Sequence, residues 1–219
     1  MSQKKELDRL RITEIFYSLQ GESNTVGLPT IFIRLTGCPL RCVYCDTTYA
    51  FQGGEWKTFA DIFAELKKYK TRFVTVTGGE PLAQQKCLEL LRVLCDEGYQ
   101  VSLETSGALD ICPVDKRVIK VMDVKTPDSG EQSRNRWQNI DCLSKFDQVK
   151  FVVCSREDYE WAKAIMDKYR LDSRCEVLFS GSHDKLQAHQ LADWILHDQL
   201  SVRFQVQLHK LLWGEEQGR

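Results

Sequence analysis

Apolar positions fall along this chain in short β-branched runs, separated by longer stretches where they recur every three or four residues. Residues 12–19, Ile-Thr-Glu-Ile-Phe-Tyr-Ser-Leu, mix apolar and polar positions in an extended pattern that ends in a turn at Gln20-Gly21-Glu22. Ile31-Phe32-Ile33-Arg34-Leu35 is a strand pattern, rich in β-branched and aromatic side chains. Polar, glycine-containing sequence follows to about Lys57. Thr58 then reads as the N-cap of a helix over 59–69, with Phe59, Ile62, Phe63 and Leu66 on one face. The alternation continues with a strand at 73–77, a helix over 82–97 stopped by Gly98, and strands at 100–104, 118–124 and 148–154. An amphipathic helix over 156–169, a strand at 175–179, a helix over 184–198 and a short strand at 202–206 complete it. The polar run between Thr126 and Trp137 reads as a loop.

Strands alternating with helices predict a parallel sheet joined by right-handed crossovers. Six or seven such units are too few for a closed eight-fold barrel, which takes about 250 residues. The expected fold is α/β, a partial (open) parallel β/α barrel, in a single domain over residues 1–219. In that architecture every strand ends on one face, where sites are built. The unusual segments of this chain all sit at such ends: a cysteine-rich loop after residue 35, Gly78-Gly79-Glu80-Pro81, Glu104-Thr105-Ser106-Gly107, and Asp123-Val124-Lys125-Thr126-Pro127.

Charge and composition narrow the partners. The formal net charge of −1 leaves no electrostatic footprint for nucleic acid or an anionic membrane. No apolar run approaches the ~20 residues that span a bilayer, and Met1 to Arg11 is charged, without a signal-peptide core. The expectation is a soluble, cytoplasmic protein with no nucleic-acid or membrane partner. Its nine cysteines are an odd number, which argues against a disulfide framework. Cys87, Cys95, Cys112, Cys142, Cys154 and Cys175 read as free thiols acting as small hydrophobes.

Cys38, Cys42 and Cys45 differ, being spaced Cys-x3-Cys-x2-Cys with Tyr44 before the last. Soft thiolates this close converge on a soft metal centre. A [4Fe–4S] cubane held by three thiolates keeps one iron open for a small molecule. Zinc is the alternative, and its fourth ligand would come from His183, His189, His197 or His209. Gly78-Gly79-Glu80-Pro81 would let backbone approach a ligand closely beside a carboxylate that pairs with an ammonium. An ordinary strand-to-helix turn with proline at the helix start is its plainer reading.

The triplet after a strand, together with the Gly-Gly-Glu segment, resembles the radical S-adenosylmethionine (SAM) superfamily. Phe16-Tyr17-Ser18-Leu19-Gln20-Gly21-Glu22, Gly27 to Leu35, Cys45-Asp46-Thr47, Thr77 to Pro81, Glu104 to Gly107 and Gln207-Leu208-His209-Lys210 further resemble the 7-carboxy-7-deazaguanine synthase family, in order and over almost the whole chain. The resemblance implies a lyase that converts 6-carboxy-5,6,7,8-tetrahydropterin to 7-carboxy-7-deazaguanine with loss of ammonia, on the route to queuosine. In such enzymes the open iron binds the methionine part of SAM, and an electron from the cluster releases a 5′-deoxyadenosyl radical; here SAM is regenerated and Mg²⁺ is required.

By matching position, the resemblance implies that Cys38, Cys42 and Cys45 hold the cluster and that Thr47 ligates Mg²⁺. Leu19, Gln20, Gly21, Arg34 and Thr77 would contact the pterin, with Arg34 gripping its carboxylate. Tyr44, Asp46, Gly79 and Glu80 would contact SAM, and Ser106, Asp123 and Lys125 are candidates for its ribose and carboxylate from their strand-end positions. A homodimer and an electron donor such as flavodoxin are implied as partners. The chain departs from the family pattern at Ser23, where many relatives carry glycine, and in its extension from Leu211 to Arg219. A radical-generating activase of a glycyl-radical enzyme shares the triplet, and a zinc-stabilised binding module is the non-catalytic rival.

Overall fold

The computed structural model describes residues 8–183, 185–214 and 216–218; residues 1–7, 184, 215 and 219 lie outside it. Nine strands make one sheet: β1 (Arg9–Leu19), β2 (Pro29–Leu35), β3 (Glu55–Thr58), β4 (Phe73–Gly78), β5 (Gln100–Thr105), β6 (Ile119–Asp123), β7 (Gln148–Val153), β8 (Glu176–Gly181) and β9 (Arg203–Gln205). Their order is β3-β1-β2-β4-β5-β6-β7-β8-β9. β2 and β4 through β9 are parallel, while β1 is antiparallel to β2 and β3. The edge strands β3 and β9 do not pair with each other, so the barrel is open, as the alternation implies.

The helices are α1 (Phe59–Leu66), α2 (Cys87–Asp96), α3 (Arg156–Tyr169), α4 (Ala188–His197) and α5 (Leu208–Trp213). Thr58 caps α1 as expected: its hydroxyl accepts from the Asp61 amide while the Asp61 carboxylate accepts from the Thr58 amide. α1 stops at Leu66, three residues short of the expected end. The helix expected over 82–97 is divided into a tight turn at Pro81–Ala83 and α2. That over 184–198 begins at Ala188, and residue 184 is outside the described residues. β3 occupies sequence expected to be loop; as an edge strand with Glu55 and Trp56 exposed it carries no alternation that sequence could reveal.

Alternation along the strands divides the molecule into two layers. Ile31, Ile33, Leu35, Val74, Val76, Val101 and Leu103 are buried together with Ile62, Leu66, Leu90, Leu91 and Leu94 of α1 and α2. Each such side chain contributes about 1.5–3 kcal/mol on burial. The intervening residues, among them Arg34, Thr75, Thr77, Ser102 and Glu104, project inward. This period of two is why a chain with a continuous apolar shell has a polar interior.

The segment after β1 spans the open flank. Gln20 Nε2 donates to Thr75 Oγ1 at 3.0 Å, Glu22 pairs with Lys150 at 2.8 Å, and the Ser23 amide donates to Gln205 Oε1 at 3.0 Å. These three residues thus tie β4 to β7 and β9. Ser23 turns the chain with φ 68°, a left-handed conformation that favours glycine. Its bonds to Gln205 and, through Oγ, to Thr25 hold it there.

One expectation about the cysteines is corrected. Cys112 and Cys142 form a disulfide, with Cα atoms 5.2 Å apart, so they are not free thiols. They are brought together because the Asn139 side chain donates to the Gly107 and Leu109 carbonyls and accepts from the Ile111 amide, docking the turn at Trp137–Cys142 against the loop after β5. Cys87 and Cys175 are free and buried; Cys95 and Cys154 are free and half-buried.

Candidate active site

A cavity of about 580 Å³ opens at the C-terminal ends of the parallel strands. The cysteine loop, the Gly-Gly-Glu segment, the end of β5 and the β6 end all border it. Leu19, Gln20, Gly21, Arg34, Thr77, Cys38, Cys42, Tyr44, Cys45, Asp46, Thr47, Gly79, Ser106, Asp123 and Lys125 all line it. Glu80 does not. It is fully buried, and its carboxylate accepts from the Leu82 amide, the Thr105 hydroxyl, and both the amide and hydroxyl of Ser106. Pro81 opens the turn that follows, so the plain turn and the structured carboxylate coexist. Glu80 clamps the end of β4 to the end of β5.

The three thiols are free and half-buried. Burial pushes Cys42 up to about 11 and raises Cys38 and Cys45 as well, while Lys125 opposes the rise at all three. Metal binding takes such thiols as thiolates and releases their protons to solvent. Among the described residues no group of three His, Cys, Asp or Glu side chains converges on a single ion. A mononuclear zinc site needs four ligands within about 2.0–2.3 Å of one point, whereas a cubane takes its thiolates at three separate irons. Three free thiols from one short loop bordering one cavity are the soft donor set that an iron–sulfur cluster takes.

The neighbouring groups fit a small charged ligand. Gly79 lies so close to the cluster loop that a Cβ there would sit 2.6 Å from Cys38 Cβ, leaving a bare backbone edge at the cavity. Asp123 carries one buried oxygen, Oδ1, without a hydrogen-bond partner, while its Oδ2 pairs with Lys125 at 3.0 Å. Lys125 also lies 5.8 Å from the centre of the Tyr44 ring. Asp46 is held below the ordinary carboxylate range: burial opposes this, and the Thr47 hydroxyl and Lys210 ammonium outweigh it. Thr47 stands at the N-cap position of the turn Thr48–Phe51, yet its side chain makes no capping bond and donates instead to Asp46 Oδ1 at 2.8 Å. Its oxygen lone pairs remain for a hard cation.

Further lining residues had no role assigned from sequence: Glu22, Glu104 and Gln207 stood only within quoted motifs, and Tyr49 and Lys150 escaped notice. Glu22, Glu104, Lys150, Tyr49 and Gln207 all border the cavity. Glu104 accepts from Thr77 Oγ1 at 3.0 Å and Gln20 Nε2 at 3.4 Å; burial pushes its carboxyl up, with Lys150 opposing. For Lys150 burial works downward, but Glu22, Asp123 and Glu104 hold the ammonium above its usual value. A lysine at an inward position between Val149 and Phe151 was the available signal for it. His209 packs against Gly21, and Lys210 lies 3.4 Å from Asp46. The C-terminal extension reaches the cavity through Gly214, Glu216, Gln217 and Gly218.

A family model described as the Radical SAM superfamily matches residues 32–125, the stretch holding the cysteine loop, the Gly-Gly-Glu segment and the β6 end. Fold and site together define a radical SAM domain. Over 222 aligned residues the chain is 41% identical to the 7-carboxy-7-deazaguanine synthase of Koribacter versatilis, covering 94% of this chain and 98% of that one. The enzyme of the same name from Chlorobaculum tepidum is also 41% identical, with 94% and 96% covered. The crystal structure of QueE from Escherichia coli superposes with a TM-score of 0.78 at 22% identity, over 95% of this chain and 100% of that one, which establishes the shared fold. The chain belongs to the 7-carboxy-7-deazaguanine synthase family.

Proposed function

We propose that this chain, as a single domain, is a radical SAM lyase that converts 6-carboxy-5,6,7,8-tetrahydropterin to 7-carboxy-7-deazaguanine with loss of ammonia. The observation that carries the reading is one cavity shared by three free thiols, the bare backbone edge at Gly79 and the Arg34 guanidinium. The near full-length similarity to enzymes of that name supports it. Cys38, Cys42 and Cys45 hold the [4Fe–4S] cluster. When bound, cluster and SAM supply the one-electron cleavage that begins the radical chemistry.

The remaining roles belong to this chain's own side chains. Gly79, Ser106, Asp123 and Lys125 bind SAM, with the unpartnered Asp123 oxygen accepting from a ligand hydroxyl and Lys125 meeting a carboxylate. Tyr44 and Asp46 border the adenine. Glu80 acts one step back, fixing Gly79 and Ser106. Leu19, Gln20, Gly21 and Thr77 orient the pterin ring, and Arg34 grips its carboxylate. Glu104 and Glu22 add acceptors for the ring N–H groups, and Thr47 offers its hydroxyl oxygen to Mg²⁺. A homodimer and a flavodoxin-type electron donor complete the proposal.

The test is an anaerobic assay of cluster-reconstituted protein with SAM, Mg²⁺, reductant and 6-carboxytetrahydropterin, read by mass spectrometry. The expected product is lighter than the substrate by one ammonia. SAM cleavage without that product would replace the substrate and move the glycyl-radical activase ahead. Zinc without iron or acid-labile sulfide would remove the radical reading.

A further inference from the structure

The pairing of β1 with β2 contains an irregularity beside the site. Ile12 lies opposite Leu35, but Glu14 lies opposite Arg34, so Thr13 is an extra residue on β1. The Thr13 hydroxyl is anchored to Thr36 Oγ1 at 2.7 Å. In an unbroken register Thr13 would face Arg34, and Glu14 would face Ile33, which is buried in the apolar layer beneath the helices. The bulge thus turns the Glu14 carboxylate from the apolar side to the cavity side, the kind of re-aiming for which bulges are retained near sites.

Glu14 makes specific use of that placement. Its Oε1 accepts from Arg34 Nε at 2.6 Å and from the Tyr49 hydroxyl at 2.8 Å. The guanidinium carbon lies 5.7 Å from the Phe16 ring centre and 5.8 Å from that of Tyr49. Arg34 and Tyr49 line the cavity; Glu14 and Phe16 stand behind them. Committing the Nε edge to Glu14 leaves the Nη1–Nη2 edge of the planar fork for a carboxylate.

We infer that Glu14 is a positioning residue for Arg34, and that the Thr13 bulge exists to place it, making the site selective for a carboxylate-bearing ring. The inference rests on the proposed reading of Arg34 as the substrate-carboxylate clamp. A free arginine side chain on a strand samples many rotamers, and each unproductive one weakens a two-bond grip. Glu14, Tyr49 and Phe16 confine it to one.

The test compares 6-carboxytetrahydropterin with tetrahydropterin lacking the carboxyl group, in the reconstituted enzyme. Glu14→Ala is expected to lower kcat/KM for the carboxylated substrate by about tenfold to a hundredfold, mainly through KM. Inhibition by the ligand lacking the carboxylate, and SAM cleavage without substrate, should stay at parent levels. Glu14→Gln keeps an oxygen that accepts from Nε and should restore most of the loss. Tyr49→Phe, which removes one bond to Glu14, should move the same ratio in the same direction by a few-fold, and it carries the test if Glu14→Ala fails to fold. Equal loss for both ligands, or parent-like discrimination in Glu14→Ala, overturns the inference. Arg34→Gln separates the two levels: if it does not discriminate between the ligands, the carboxylate-clamp reading itself has failed.

Discussion

Gly79→Ala adds one methyl group where the end of β4 meets the cysteine loop. The φ of Gly79 is not in the left-handed region, so the backbone would accept alanine and only space opposes it. The added Cβ would sit 2.6 Å from Cys38 Cβ and 2.8 Å from the Gly37 carbonyl carbon, with the Gly37 oxygen nearer still. Non-bonded carbons rest comfortably at about 3.5–4.0 Å, so the two segments must part by about 1 Å. They are also held together by the Glu80 amide donating to the Gly37 carbonyl at 2.8 Å, and the added methyl strains that bond. Overpacking of this kind costs about 1–3 kcal/mol. The larger effect falls on geometry, because the displaced loop carries Cys38. Gly98→Ala is the control: Gly98 has φ 82° and nothing within 4 Å of its Cβ position, so alanine there costs about 1–2 kcal/mol from conformation alone. Both variants should unfold at lower urea concentration than the parent. Only Gly79→Ala should lose iron and sulfide on reconstitution and weaken SAM binding by about tenfold or more. Parent-like iron content and SAM affinity in Gly79→Ala would refute the close-approach argument.

Glu80→Ala leaves the Thr105 hydroxyl and the Ser106 amide without their buried acceptor. It should cost about 2–4 kcal/mol in urea titration, and a loss below about 0.5 kcal/mol would mean that water replaces the carboxylate. Glu104→Gln conserves shape while removing a carboxyl whose value burial raises above its usual 4.5. A raised acid stabilises the fold at low pH and loses that contribution as pH climbs past its unfolded value. The stability of the variant relative to the parent should therefore grow as pH rises above about 4.5, while turnover falls; a constant difference would show that Glu104 ionises freely. Asp115 has the opposite sign, because the Arg117 side chain holds its carboxyl down at about 2. Its contribution is present above about pH 4 and fades as pH falls toward 2. Asp115→Asn should flatten that limb of the acid-unfolding curve, and parallel curves would refute the pairing.

The local chemistry of the site was legible in sequence because it depends on residue type and short spacing. Three thiols within eight positions, a Gly-Gly-Glu turn and the Leu-Gln-Gly-Glu block announce themselves wherever the chain goes. Alternating strands and helices likewise implied parallel pairing, an open barrel and a common face for the strand ends. Less was visible where partners are distant. Nothing near Glu14 marks it as the companion of Arg34, and a one-residue bulge is indistinguishable from regular alternation until the partner strand is known. The pairing of Cys112 with Cys142 depends on a turn docked by Asn139 from across a loop. Gly79 and Glu80 look equally suited to meet a ligand, yet the structure faces the glycine into the cavity and turns the carboxylate inward to the end of β5. Sequence by itself determined the ligand types and the periodicity, which are local properties of the covalent chain. Tertiary structure alone decided register and facing, because a single-residue shift in strand pairing sends a side chain to the other side of the sheet.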